Sequence, residues 1–146
     1  MGAHGYSADI SRSWVAGDRP VTSAQRRLYA LAHEELERNI ALIQVGASFR
    51  EIGEKAWKLP DPYRQGSLPA IAHGIGLVNE YPLILRAEHF ESDGYPGVIE
   101  ADMVLCVESY VGEPGGREGV KLEQQIRTTP AGPELLSVYP LETQLL

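Results

Sequence analysis

Cysteine is nearly absent: Cys106 is the only one among 146 residues. No internal disulfide can close, and a reducing compartment is the expected setting. Also lacking are any run of about 18 apolar residues and any charged-then-apolar leader, which sets aside a membrane span and leaves a cytoplasmic address. Clustered positive charge is missing too. Thirteen Lys and Arg stand against twenty Asp and Glu, a formal charge of −7, and no basic patch could track a phosphate backbone, so nucleic acid is not an expected partner. Neither an internal repeat nor a low-complexity tract breaks the chain.

The composition, 43% hydrophobic and 23% charged, suits one soluble domain over residues 1–146 with a sizeable core. Ser7 to Val15 alternates polar and apolar residues and predicts a strand closed by Gly17-Asp18. Thr22-Ser23-Ala24-Gln25 is a capping box. The three- and four-residue recurrence of Leu28, Leu31, Ala32, Leu36, Ile40 and Ile43 then predicts an amphipathic helix ending near Val45-Gly46. A second box, Ser48-Phe49-Arg50-Glu51, opens a short helix stopped by Pro60, and Pro60 to Pro69 reads as a surface loop. Glu91 to Gly97 reads as another loop. Val104 to Val111 and Val120 to Thr128 predict a pair of strands joined by a glycine-rich turn.

Four residues carry chemistry. Glu108 and Glu123 stand inside apolar strands, where a buried carboxylate needs a cation, an arginine or a proton. The bland alternative gives them solvent, or ion pairs with Arg117, Lys121 or Arg127. Asp9 lies inside the first predicted strand, and His73 interrupts the apolar run Ala72 to Val78. Together they supply three carboxylates and an imidazole, a donor set suited to Mn, Fe, Co or Zn.

Four stretches in order, GYSADISRSWVAG, AHGIGLVNEYP, MVLCVESYVG and GVKLEQQ, resemble the successive metal-ligand motifs of the creatinase/prolidase/methionine aminopeptidase family, from about Gly5 to Leu136. The resemblance implies an α+β, partial pita-bread fold, a curved antiparallel sheet with helices on its outer face. It also implies a centre for one or two divalent ions per chain. The counterparts of Asp9 and Glu123 bridge two metals, those of His73 and Glu108 bind one, and a metal-bound hydroxide attacks a peptide carbonyl.

Two departures bear on activity. A further aspartate of the family falls before Met1, so the chain is expected to represent the C-terminal half to two-thirds of a pita-bread domain, with one metal site formed and the second weak or empty. Peptidases of the family read HGIGLxxHExP, whereas here Asn79 and Glu80 stand at the shortened interval, and Asn79 can donate a hydrogen bond but cannot transfer a proton. That shortened form is similar to the dimethylsulfoniopropionate lyase branch, which would need Glu80 or a metal hydroxide as base.

Three readings follow: an Xaa-Pro dipeptidase-like hydrolase of small peptides, a lyase acting on a small zwitterionic acid, or a non-catalytic binding or dimerisation module. Tyr81, Tyr110, His89 and Arg127 are candidates for substrate contacts, Arg127 also as a support for Glu123. An exposed apolar face predicts self-association into a homo-oligomer.

Overall fold

Two reciprocal caps start the two helices that the sequence predicted. In the computed structural model, which describes residues 2–146, Thr22 Oγ1 accepts from the Gln25 amide at 3.1 Å while Gln25 Oε1 accepts from the Thr22 amide at 3.0 Å. Orphan donors of the first turn are thereby satisfied. Helix α1 (Ser23–Ile40) follows and buries Leu28, Tyr29, Ala32 and Leu36 on one face. It ends before the expected boundary, with a turn at Ala41-Leu42. The Ser48 and Glu51 box opens α2 (Phe49–Lys55) in the same way.

The N-terminal region differs from expectation. Strands β1 (Gly2–Ala3) and β2 (Tyr6–Ser7) make a short hairpin, but the rest of the predicted strand is irregular, with an isolated bridge from Ser11 to Glu123. Side chains make the bonds that a ladder would have made. Ser13 Oγ donates to Lys121 O at 3.0 Å and accepts from Lys121 N at 3.2 Å. The Arg12 guanidinium donates to Glu123 O at 2.6 Å and to Gln124 Oε1 and Tyr139 O, each at 2.7 Å. Alternation in the sequence therefore reported a strapped segment and not a full strand.

The main sheet contains β3 (Ala70–Gly74), β4 (Leu83–Leu85), β5 (Val104–Gly112), β6 (Gly119–Thr129) and β7 (Gly132–Leu135). Its order is β4-β3-β5-β6-β7, antiparallel at every pairing. A short helix, α3 (Ala87–Asp93), follows β4 without a side-chain cap; lacking that signal, its end had read as loop. Successive strand residues face opposite sides of a sheet. Leu105, Val107 and Val111 of β5, with Leu122 and Ile126 of β6, join the core under α1. Their neighbours Cys106, Glu108, Lys121, Glu123 and Gln125 consequently face away from the helix. No helix among the described residues is long and apolar enough to cross a membrane.

On the helix side, a buried ion pair ties three elements together. Arg86 Nη2 donates to Glu35 Oε1 at 2.5 Å, and Ser109 Oγ donates to Glu35 Oε2. Arg86 also donates to Leu68 O at 2.9 Å and to Trp57 O at 3.1 Å. Burial pushes the Glu35 carboxyl up, opposed by Arg86 and Ser109. Removing one member of such a pair strands the other charge in a dry environment. We expect Arg86→Met to lower the unfolding free energy by about 3–5 kcal/mol in urea denaturation, and Glu35→Leu/Arg86→Met to lose less than the single variant; equal stability of Arg86→Met and the parent would refute the clamp.

Candidate metal centre

Antiparallel register assembles the site. Glu108 of β5 lies directly opposite Glu123 of β6, and Cys106 opposite Gln125. On the other flank, His73 of β3 pairs with Cys106. Side chains directly across a ladder stand about 4.5–5.5 Å apart at their Cβ atoms, and like charges so placed repel. Two carboxylates thus meet on the helix-free face, beside an imidazole and a thiol.

Lys121, two residues before Glu123 on the same face, answers that repulsion. Its Nζ lies 2.8 Å from Glu108 Oε2 and 3.5 Å from Glu123 Oε2. Ser11 Oγ donates to Glu123 Oε2 at 2.7 Å. Burial alone would raise the Glu123 carboxyl, but His73, Ser11 and Lys121 outweigh it and hold it below its ordinary value. Burial lowers the Lys121 ammonium, and Glu108 and Glu123 more than reverse that.

The second oxygen of Glu123 faces His73 alone. Among the described residues Oε1 is fully buried and accepts no hydrogen bond of ordinary geometry; its one contact is the ion pair with His73 Nε2 at 3.4 Å. A buried acceptor held only by so long a contact is incompletely satisfied, and an ion would complete it. His73 is held by its other nitrogen: Nδ1 donates to Gly74 O at 3.1 Å, which directs Nε2 toward the carboxylate. Contact with Glu123 first, against desolvation, raises His73 to about 8. Gly74 has no room for a side chain, because a Cβ there would meet Tyr81 O at 1.8 Å.

Ligand atoms of His73, Cys106 and Glu123 all lie within 4.8 Å of one another. This donor set fits a divalent cation. Glu108 is drawn toward the same place by Lys121 but is not one of that trio, and neither is Asp9, whose Oδ1 accepts from Ile10 N at 3.0 Å. The Asp9 backbone nonetheless reaches the site: its amide donates to Gln125 Oε1 at 3.3 Å, and Cys106 Sγ donates to its carbonyl at 3.6 Å. Asn79 and Glu80 sit in an exposed loop after β3, with Glu80 at φ +67° and its amide bonded to Gly74 O at 2.9 Å.

Sequence reasoning missed Cys106, which a search for hard donors passed over. Burial, with Glu123 and Asp9 nearby, pushes its thiol up to about 12. Arg127 does not support Glu123. It pairs with Glu134 at 2.8 Å, and the supporting cations are Lys121 and Arg12. Tyr81 stacks on Tyr95, and His89 is exposed on α3. Beside Gln125, a largely apolar cavity of about 790 Å³ is lined by Tyr6, Ala8, Ile75, Leu77 and Val104 among others.

Residues 1–130 match the metallopeptidase family M24. The chain belongs to that family. This agrees with the ordered motifs and their implied fold. The M24 chain superposes on the Xaa-Pro dipeptidase of Bacillus anthracis with a TM-score of 0.76 and 26% identity, over 94% of this chain and 37% of that one. The prolidase of Pyrococcus furiosus, 24% identical, shares the fold at a TM-score of 0.76 over 94% of this chain and 39% of that one. In sequence this chain is 33% identical to dimethylsulfoniopropionate lyase DddP of Roseovarius nubinhibens, over all of this chain and 33% of that protein. The chain thus spans about a third of the length of these relatives. These neighbours share a pita-bread architecture, of which the five-stranded antiparallel sheet and its helices form a part.

Replacing Lys121 by Met leaves Glu108 and Glu123 opposed without their counter-ion. We expect a loss of about 1–2 kcal/mol in thermal or chemical unfolding, modest because the ammonium is part-exposed, and a larger stabilisation by excess Mn2+ or Zn2+ than in the parent. Unchanged stability with unchanged metal response would contradict the electrostatic account.

Proposed function

We propose that the chain carries the metal-binding part of a metal-dependent hydrolase acting on small peptides of the Xaa-Pro kind. The observation that carries this reading is the buried Glu123 Oε1, held only by a 3.4 Å contact with His73 Nε2, on a strand whose register sets Glu123 opposite Glu108. His73, Glu108 and Glu123 would hold the cation, with Asp9 joining them from the strapped N-terminal segment. When bound, a divalent ion supplies Lewis acidity and lowers the pKa of water toward neutrality.

The chain's own residues do the rest. Ser11 and Lys121 fix Glu123, and Gly74 O fixes the His73 ring, so donors are oriented before any ion arrives. The apolar cavity beside Gln125 would take a substrate side chain and exclude water from one flank. Asn79 would donate a hydrogen bond to a substrate oxygen, and Glu80, alongside it, is the group able to move a proton.

A second reading, a lyase on a small zwitterionic acid, is favoured by the identity to DddP over the whole chain. Elimination needs a base that removes a proton from carbon, and Asn79 cannot serve. Glu80 or a metal hydroxide would have to serve instead.

Glu123→Gln retains size and removes charge. We expect it to bind metal at least about tenfold more weakly, since loss of even an outlying partner costs that much, by elemental analysis after dialysis. Assays of the parent with Xaa-Pro dipeptides and with dimethylsulfoniopropionate then separate the readings: a released amine supports hydrolysis and dimethyl sulfide the lyase. Absence of metal from parent and variant alike would leave a non-catalytic module.

A further inference from the structure

Cys106 is a buried thiol that stands outside the hydrophobic cluster beneath α1. It is fully buried, yet it lies on the helix-free face, flanked in register by His73 on β3 and Gln125 on β6. Its one hydrogen bond is a long one, from Sγ to Asp9 O at 3.6 Å. An independent feature points into the same space: Glu123 Oε1, fully buried and, among the described residues, without a hydrogen bond, its nearest polar atom His73 Nε2 at 3.4 Å.

The separations suit a common ion. Donors bound to one tetrahedral cation at about 2.0–2.3 Å stand roughly 3.3–3.8 Å apart. His73 Nε2 and Glu123 Oε1 are already 3.4 Å apart, and the thiol lies within 4.8 Å of both partners, so a rotamer adjustment of about one ångström closes the set.

We propose that Cys106 Sγ joins His73 Nε2 and Glu123 Oε1 as a sulfur donor to a thiophilic divalent cation such as Zn2+ or Co2+. This rests on the reading of this face as a metal centre and extends it, because a thiolate ligand biases the site toward Zn2+ and Co2+ and away from Mn2+ and Mg2+. On binding, the S–H bond breaks, its proton passes to the buffer, and a metal–sulfur bond forms with no change of oxidation state. Glu108 and Asp9, placed around the same ion in the proposed function, would complete its coordination beside the sulfur.

The test is a titration of the 146-residue chain with Co2+, followed by absorption spectroscopy, beside Cys106→Ser. Visible ligand-field bands report bound cobalt whatever its donors, whereas an intense near-ultraviolet charge-transfer band reports a cobalt–thiolate bond. We expect both in the parent; in Cys106→Ser the near-ultraviolet band disappears, the visible bands persist, and affinity falls at least about tenfold. Visible bands without the near-ultraviolet band in the parent would overturn the sulfur ligand and leave the carboxylate–imidazole centre standing. Absence of cobalt from both chains would overturn the centre itself and the sulfur ligand with it. Should Cys106→Ser fail to fold, the parent spectrum alone decides.

Discussion

Two carboxylates placed face to face across one antiparallel ladder set the terms for everything on the helix-free side of the sheet. Glu108 and Glu123 are partners in the β5–β6 register, and Glu123 is wholly buried. Such a pair persists only with positive charge between or beside its members. Lys121 supplies one cation from the same strand, and Ser11 and His73 add a hydroxyl and an imidazole. Among the described residues the oxygen facing His73 accepts no hydrogen bond, and a divalent ion is a partner its surroundings suit.

The opposite side of the sheet is built on the same principle with a different outcome. Glu35 is equally buried, but Arg86 and Ser109 satisfy both of its oxygens. That pair is closed and offers no vacant donor, so it fastens α1, β5 and the approach to α3 without inviting a ligand. Ser109 and Glu108 are adjacent in sequence and point to opposite faces, which places the clamp directly behind the centre. A rigid backing of this kind keeps metal donors oriented.

Local chemistry was what the sequence displayed best. Thr22 and Ser48 announced their helices because a capping box is a short-range pattern, and the β5–β6 pair was legible from its apolar runs and the turn between them. The first predicted strand was misread: Arg12 and Ser13 bond through their side chains to β6, and alternation cannot distinguish that from a ladder. Family motifs pointed to Asp9, His73, Glu108 and Glu123, but single-sequence spacing could not reveal that Glu108 opposes Glu123 or that His73 opposes Cys106. From sequence alone Lys121 is only one of several ion-pair partners open to a strand glutamate. It is that partner, for both glutamates at once. Cys106 escaped notice because it reads as an ordinary apolar strand residue.

Anomalous diffraction from crystals grown with Zn2+, collected across the zinc edge, tests the central claim most directly. The account predicts a peak on the helix-free face within about 2.0–2.3 Å of His73 Nε2 and Glu123 Oε1, with the Lys121 ammonium displaced from Glu123. No peak there, with Lys121 still joined to both carboxylates, would contradict it and leave the lysine as the only cation the two glutamates require.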